Sequence, residues 1–269
     1  MVGTVASEPS PNPNGLKVGE RVWAPAGASF AEYTVANVNQ VVPMPEGVDP
    51  KDGVSMCTVA LTAVTLVREA YAVKKGDWVL VRAAAGGVGL VLVQLCKHLG
   101  AHVIATVSTD EKAQLARENG ADEVLLSTAD SAENVKKIND LSNGGVNVVY
   151  DGVGKDTWDE DFEVTRVGGT IVTFGNASGP VPAFSPLKLS PKCLKVTRPT
   201  LFPFIARPED FKRHADEVSQ LAKDGVLKFK VHKVYPFTEE GVRQTQIDIS
   251  GRGTTGKLLI HVSGDDSKL

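Results

Sequence analysis

Six residues, Ala84-Ala85-Gly86-Gly87-Val88-Gly89, stand between one apolar run and a second that they open. They have the form G-x-G-x-x-G with alanine in the first glycine position. In such a turn Gly86 lets the backbone approach a pyrophosphate and Gly89 lets the following helix pack closely on the strand. The helix N-terminus adds unsatisfied N–H groups at the positive end of its dipole. The chemistry served is dinucleotide binding, although glycines alone also suit a ligand-free strand-to-helix turn. One strand further on, a site preferring NAD places Asp or Glu for the ribose hydroxyls; this chain has Ser108 there. Lys112 follows in the first turn of the next helix, where a cation suits the dipole poorly but is placed to meet a 2′-phosphate. The pair favours NADPH, with a solvated surface lysine as the alternative.

These residues need elements to hold them. WVLVRA, AHVIATVS, EVLLS, VNVVYDGVG and GTIVTFGN are strand-sized apolar runs, and helical segments separate them from residue 77 onward. The second helix carries a capping-box pattern from Ser108 to Glu111. LKVTRPTLF reads as a sixth strand, followed by an amphipathic helix over about 208–223. Fully apolar strands alternating with helices specify a parallel sheet covered on both faces, the doubly wound α/β class. The first fifty residues differ, with short β-rich runs at 21–24, 30–35 and 41–44 between Gly and Pro. Two β-like runs near the C-terminus, 229–235 and 257–262, flank a short helix and resume that character. The expected organisation is therefore a β-rich unit at 1–60, a nucleotide-binding domain at 61–205 and a C-terminal return to the β unit at 206–269.

Composition excludes other classes. The 269 residues are 42% hydrophobic and 23% charged, an ordinary globular balance. A net charge of -3, from 29 basic and 32 acidic residues, exerts no global pull toward nucleic acid or anionic membrane. The beginning lacks the basic and apolar regions of a signal peptide, so the chain reads as soluble and unsecreted. Three scattered cysteines form no C-x-x-C pair, which favours reduced thiols and a cytoplasmic location. The five histidines form no cluster with metal-ligand spacing.

With these motifs in place, DWVLVRAAAGGVGLVLVQLCKHLGA, VVYDGVGKDTW, IVTFGNASGPV, KVTRPTL and GRGTTGKLLI together resemble the zinc-independent medium-chain dehydrogenase/reductases. The resemblance is to their NADPH:quinone oxidoreductases, zeta-crystallin among them. It implies a doubly wound Rossmann parallel sheet plus a discontinuous GroES-like β domain, with NADPH in the cleft between them. It puts the pyrophosphate at Ala85, Gly86, Gly87 and Val88 and the 2′-phosphate near Ser108 and Lys112. The nicotinamide end falls near Thr62, Gly152, Val153, Phe174 and Asn176, with further cofactor contact at Arg252. The residues themselves agree in part, because 151–154 and 174–176 end parallel strands, where ligands bind in such sheets. An arginine in a Gly-rich surface turn is the alternative for Arg252.

Departures from the family pattern carry expectations of their own. Ser127 stands at an adenosine-side position often occupied by tyrosine, and Phe30 replaces a common tyrosine. Residues 2–6 align with a strand midway through the GroES-like domain, so the chain is expected to lack the strands before it, with a truncated product or an open cleft as the consequence. Zinc-dependent cousins place a ligand cysteine where this chain has Thr58, with Cys57 one residue off. One step along a helix turns a side chain by about 100°, so Cys57 is expected to pack rather than ligate.

The function expected is reduction of quinones or related conjugated carbonyls by NADPH without a metal, with no side chain assigned to catalysis. A zinc-independent enone or enoyl reductase is the neighbouring alternative. A nucleotide- or RNA-binding protein with little turnover is the alternative of another class. Small-molecule substrates are the expected partners, and no membrane is. The sixth strand, 195–201, should form a sheet edge through which a homodimer pairs, although Arg198-Pro199 is equally a device by which monomers blunt an edge.

Overall fold

The structure is a computed structural model and describes residues 1–251 and 253–262. The strands in chain order are β1 (Val2–Thr4), β2 (Arg21–Trp23), β3 (Val42–Pro43), β4 (Trp78–Val81), β5 (His102–Val107) and β6 (Glu123–Leu126). They continue with β7 (Val146–Asp151), β8 (Thr165–Thr173), β9 (Lys195–Thr197), β10 (Val231–Pro236) and β11 (Lys257–His261). Two compact units form. One joins Met1–Thr62 to the described part of Leu201–Leu269, and the other is Ala63–Thr200.

The second unit carries the six-stranded sheet in the order β6-β5-β4-β7-β8-β9. Every neighbouring pair is parallel, which is the doubly wound arrangement expected from the apolar strands. β4 has successors on both sides, β5 and β7, so the chain reverses its direction of growth there. Leu80 packs in a cluster with Ile104, Leu125, Ile138, Val149 and Val164 on one face. Its fully buried neighbours Val79 and Val81 alternate to the other face. The helix Gly87–His98 ends with Lys97 and His98 in its last turn, where cations suit the dipole.

Two strand expectations change. The sixth strand is only three residues long and stops at Thr197, because Pro199 supplies no ladder donor. β8 begins at Thr165 and ends at Thr173, leaving Phe174, Gly175 and Asn176 in a loop.

In the first unit, β1, β2 and β3 form an antiparallel sheet, while β10 and β11 pair in parallel around the helix Glu239–Ser250. The early and late segments share a core: the rings of Trp23 and Phe211 lie 6.3 Å apart, and Gln40 donates to the Ile205 carbonyl at 3.0 Å. Residues 30–35, expected as a strand, form none. Phe30, Tyr33 and Val35 are exposed at 54%, 79% and 97%, and β propensity without a strand to pair with does not make a strand. Pro50–Ala70 is one continuous helix long and apolar enough to cross a membrane, but two thirds of its apolar window is buried within the protein. Asp49 caps it by accepting from Lys51 N at 2.8 Å, with Pro50 in the first turn.

Candidate functional site

The glycine turn is fixed by the strands on either side of it. Arg82 N donates to Tyr150 O and Ala84 N to Thr106 O, each at 3.0 Å, so the turn is bonded to β7 and β5. The helix Gly87–His98 makes its first bond from Leu90 N to Gly86 O at 2.9 Å. The N–H groups of Gly87, Val88 and Gly89 therefore precede its ladder. Gly86 is the N-cap with no side-chain cap, and no acidic residue stands in the first turn. The positive end of the dipole is uncompensated, the condition that suits a phosphate. A Cβ on Gly89 would stand 2.6 Å from Ala83 O and 2.8 Å from Ala84 Cα, so only glycine lets the helix approach the turn this closely. Gly86, Gly87 and Val88 are half-buried at the surface, whereas Ala85 is buried and can offer only its backbone. The residues present fit a diphosphate.

β5 delivers Ser108 and Lys112 as a pair. Lys112 Nζ donates to Ser108 Oγ at 3.1 Å. The capping box is displaced by one residue: Thr109, not Ser108, is the N-cap of the helix Asp110–Glu118 and accepts from Lys112 N at 3.3 Å. The shift keeps the Ser108 hydroxyl at the strand end, beside the lysine.

β7 and β8 deliver a second cluster, built from two loops knitted together. Asp151 is fully buried at the end of β7. Its carboxylate accepts from Val153 N at 2.7 Å, from Gly154 N and from Thr157 Oγ1 at 3.1 Å. Burial raises its pKa against these bonds and the Arg82 charge. From the other loop, Phe174 N donates to Asp151 O at 2.8 Å, Ala177 N to Gly152 O at 3.2 Å and Ser178 N to Val153 O at 2.8 Å. A Cβ on Gly175 would lie 2.4 Å from Gly152 O, so the two loops touch backbone to backbone. Gly152, Val153 and Phe174 are half-buried and Asn176 is exposed.

Below both clusters lies a buried charge group. Arg82 Nε donates to Asp161 Oδ1 at 3.0 Å, and Arg82 Nη2 stands 3.1 Å from Glu160 Oε2. Burial pushes Asp161 up to about 8, with Asp151 and Glu160 adding to the rise and Arg82 opposing it. Three carboxylates around one guanidinium favour retention of a proton on the group.

The second unit thus brings together the strand-end residues Ala85 to Val88, Ser108, Lys112, Gly152, Val153, Phe174 and Asn176. Thr62 lies in the first unit, half-buried in the helix Pro50–Ala70, and Arg252 lies outside the described residues. Cys57 is buried and donates to Met1 O at 3.0 Å and Gly53 O at 3.2 Å, while Thr58 is exposed. Among the described residues, no group of three or more His, Cys, Asp or Glu is placed to hold a metal ion. Sequence reasoning missed Arg198, whose Nη1 donates to Thr173 Oγ1 at 2.9 Å and Gly175 O at 3.0 Å. It missed Ser178 as well, whose Oγ donates to Val153 O at 2.9 Å. Neither belongs to a local motif; both act across more than twenty residues of sequence.

Comparison with known proteins identifies the family. The family described as zinc-binding dehydrogenase matches residues 87–220. A Schizosaccharomyces pombe protein named as a probable quinone oxidoreductase is 41% identical over 93% of this chain and 75% of its own length. A 2-haloacrylate reductase from a Burkholderia species is 33% identical over 95% of this chain and 78% of its own. A solved mycobacterial structure complexed with NADPH is 37% identical, with a TM-score of 0.91 over 97% of this chain and 81% of that one. The chain belongs to the medium-chain dehydrogenase/reductase family, in its quinone oxidoreductase, zeta-crystallin-like branch.

Proposed function

We propose that this protein is an oxidoreductase that reduces quinones with NADPH. The observation that carries the reading is the uncapped glycine turn at the carboxyl edge of β4, in a chain 41% identical to a protein named as a probable quinone oxidoreductase. NADPH supplies a hydride when bound. The backbone N–H groups that open the helix Gly87–His98, with Ala85 and Gly86 before them, hold the pyrophosphate. Ser108 and Lys112 hold the 2′-phosphate, for which an acidic residue in place of Ser108 would be repulsive. Gly152, Val153, Phe174 and Asn176 form the wall against the nicotinamide end, with Thr62 and Arg252 as further contacts. No side chain is assigned to proton transfer. A quinone suits such a site, since conjugation stabilises its reduced oxygen without a Lewis acid, and the buried, hydrogen-bonded Cys57 thiol supports a metal-free reaction.

The 33% identity to a 2-haloacrylate reductase favours a second reading, reduction of an activated carbon–carbon double bond at the same site. NADPH consumption with 1,4-benzoquinone and with a conjugated enone compares the two. Faster turnover of the quinone is expected, faster turnover of the enone would favour the second reading, and no NADPH oxidation with either acceptor would overturn both.

The assembly is a homodimer paired through β9, the edge of the six-stranded sheet. Sedimentation is expected to give twice the chain mass, and a purely monomeric mass would defeat this part alone. Three free cysteines support a reducing, cytoplasmic location. The GroES-like domain is assigned to 1–60 and 206–269, and the nucleotide-binding domain to 61–205.

A further inference from the structure

Arg82 lies immediately before the glycine turn and is 2% exposed. Burying a guanidinium and a carboxylate is costly, and apolar side chains of similar volume often serve stability equally well. Stability alone therefore does not account for Arg82 facing Asp161, which is 0% exposed.

The contacts run in one direction. The Arg82 backbone starts the turn and donates to Tyr150 O, one residue before Asp151. Its side chain crosses to the helix Trp158–Val164, where Nε donates to Asp161 Oδ1 at 3.0 Å, with Nη2 3.0 Å from the same oxygen. Asp161 N donates to Thr157 O at 3.0 Å. Thr157 Oγ1 donates to Asp151 Oδ1 at 3.1 Å, and the same carboxylate oxygen accepts from Val153 N at 2.7 Å. The chain of bonds begins at one candidate cofactor cluster and ends at the other.

We propose that Arg82 is a positioning residue for the nucleotide: through Asp161 and Thr157 it holds the turn at 84–89 in register with the loop at 152–154, so that both ends of a bound dinucleotide meet one rigid edge. The ligand in this inference rests on the NADPH reading, whereas the rigid edge rests on the contacts alone.

The double variant Arg82→Met, Asp161→Leu tests it, because it fills the space and removes both buried partners of the pair, leaving Glu160 to water and Asp151 to its own N–H and hydroxyl donors. Three quantities are read against wild type: Tm, NADPH affinity by fluorescence titration, and backbone amide exchange in the free protein. The expected result is a Tm equal to wild type or higher, NADPH binding weaker by about tenfold, the size of a typical coupling, and faster exchange confined to residues 84–89 and 152–154. Unchanged affinity and unchanged exchange in a folded double variant would overturn the proposal. If the double variant does not fold, Thr157→Val, which cuts the path at its bond to Asp151, is read the same way: local exchange acceleration with weaker NADPH binding supports the proposal, and wild-type values for both overturn it. Wild type failing to bind NADPH would overturn the functional reading, while the exchange measurement would still decide the positioning role.

Discussion

The two clusters at the carboxyl edge of the sheet are made by different means. The glycine turn presents backbone N–H groups, and its close approach to the helix start is set within six consecutive residues by a missing Cβ, while bonds to β5 and β7 hold it in place. The loop pair at 151–157 and 174–179 depends on side chains and on partners far away in sequence: a buried carboxylate, Ser178, and Arg198 reaching back to Gly175. Phosphate recognition can be encoded locally because every residue carries an N–H donor. A wall against a flat ring must be assembled from separate strands.

That contrast is sharpest where the loop pair is attacked at its centre. Asp151→Ala would strip the acceptor from Val153 N, Gly154 N and Thr157 Oγ1 and leave Arg82 facing fewer carboxylates. A loss of about 3–5 kcal/mol of stability is expected, as for removal of one partner from a buried charged network. Urea unfolding measures it, and a variant as stable as wild type would show that the loops hold without the carboxylate.

On the phosphate side the effect should fall on binding instead. Lys112→Ala should weaken NADPH by about 1.5–3 kcal/mol, the scale of a charge-assisted hydrogen bond, with NADH nearly unchanged and Tm held. Equal losses for both cofactors, read by fluorescence titration, would remove Lys112 from the 2′-phosphate.

Gly89→Ala separates the two regions in another way. The added Cβ would meet Ala83 O at 2.6 Å, and the cost expected is about 1–3 kcal/mol for overpacking. Because the helix start must move, NADPH affinity should fall as well, while amide exchange in 174–179 stays at its wild-type rate. Faster exchange there would mean that the helix start also supports the loop at 174–179.

Taken per pH unit, the smallest effect is a slope of stability with pH. Asp161 is raised by burial to about 8 from its ordinary value of 3.8, so the folded state holds a proton that the unfolded chain has released in this window. The contribution of this group to stability is therefore present at the acid end and is lost as pH rises from about 4 through about 8, by at most about 1.4 kcal/mol per pH unit. Asp151 and Glu160 face the same carboxyl and add to the rise, while Arg82 opposes it and tempers the slope. Unfolding of wild type and Asp161→Asn across this range should show the variant gaining on wild type as pH rises. Parallel curves would place the retained proton elsewhere in the group.

The local signals in the sequence were sufficient for the sheet of the second unit. Apolar strands of three to nine residues alternating with helices admit few topologies, and a glycine turn after β4 marks the crossing from strand to helix. The nearness of Ser108 to Lys112 was legible too, since a strand end and the first turn of the next helix bring residues four apart together. Residues 30–35 were misread because alternation is a property of a strand with a partner, and partnership is not local. The end of the sixth strand was misjudged because apolar content continued beyond the proline that stops the ladder.

Tertiary structure alone decided what stands behind the site. Arg82 in the sequence is a basic residue at the end of an apolar run, and Asp161 lies in the acidic segment Asp159-Glu160-Asp161. Only folding buries the third of these acids against that arginine, 79 residues away in sequence. The sequence by itself determined the elements and the glycine turn, because hydrophobic period, caps and glycines act over a few residues. The pairing of buried charges and the knitting of the two loops were settled by the packed sheet, because only packing excludes water and makes a distant partner obligatory.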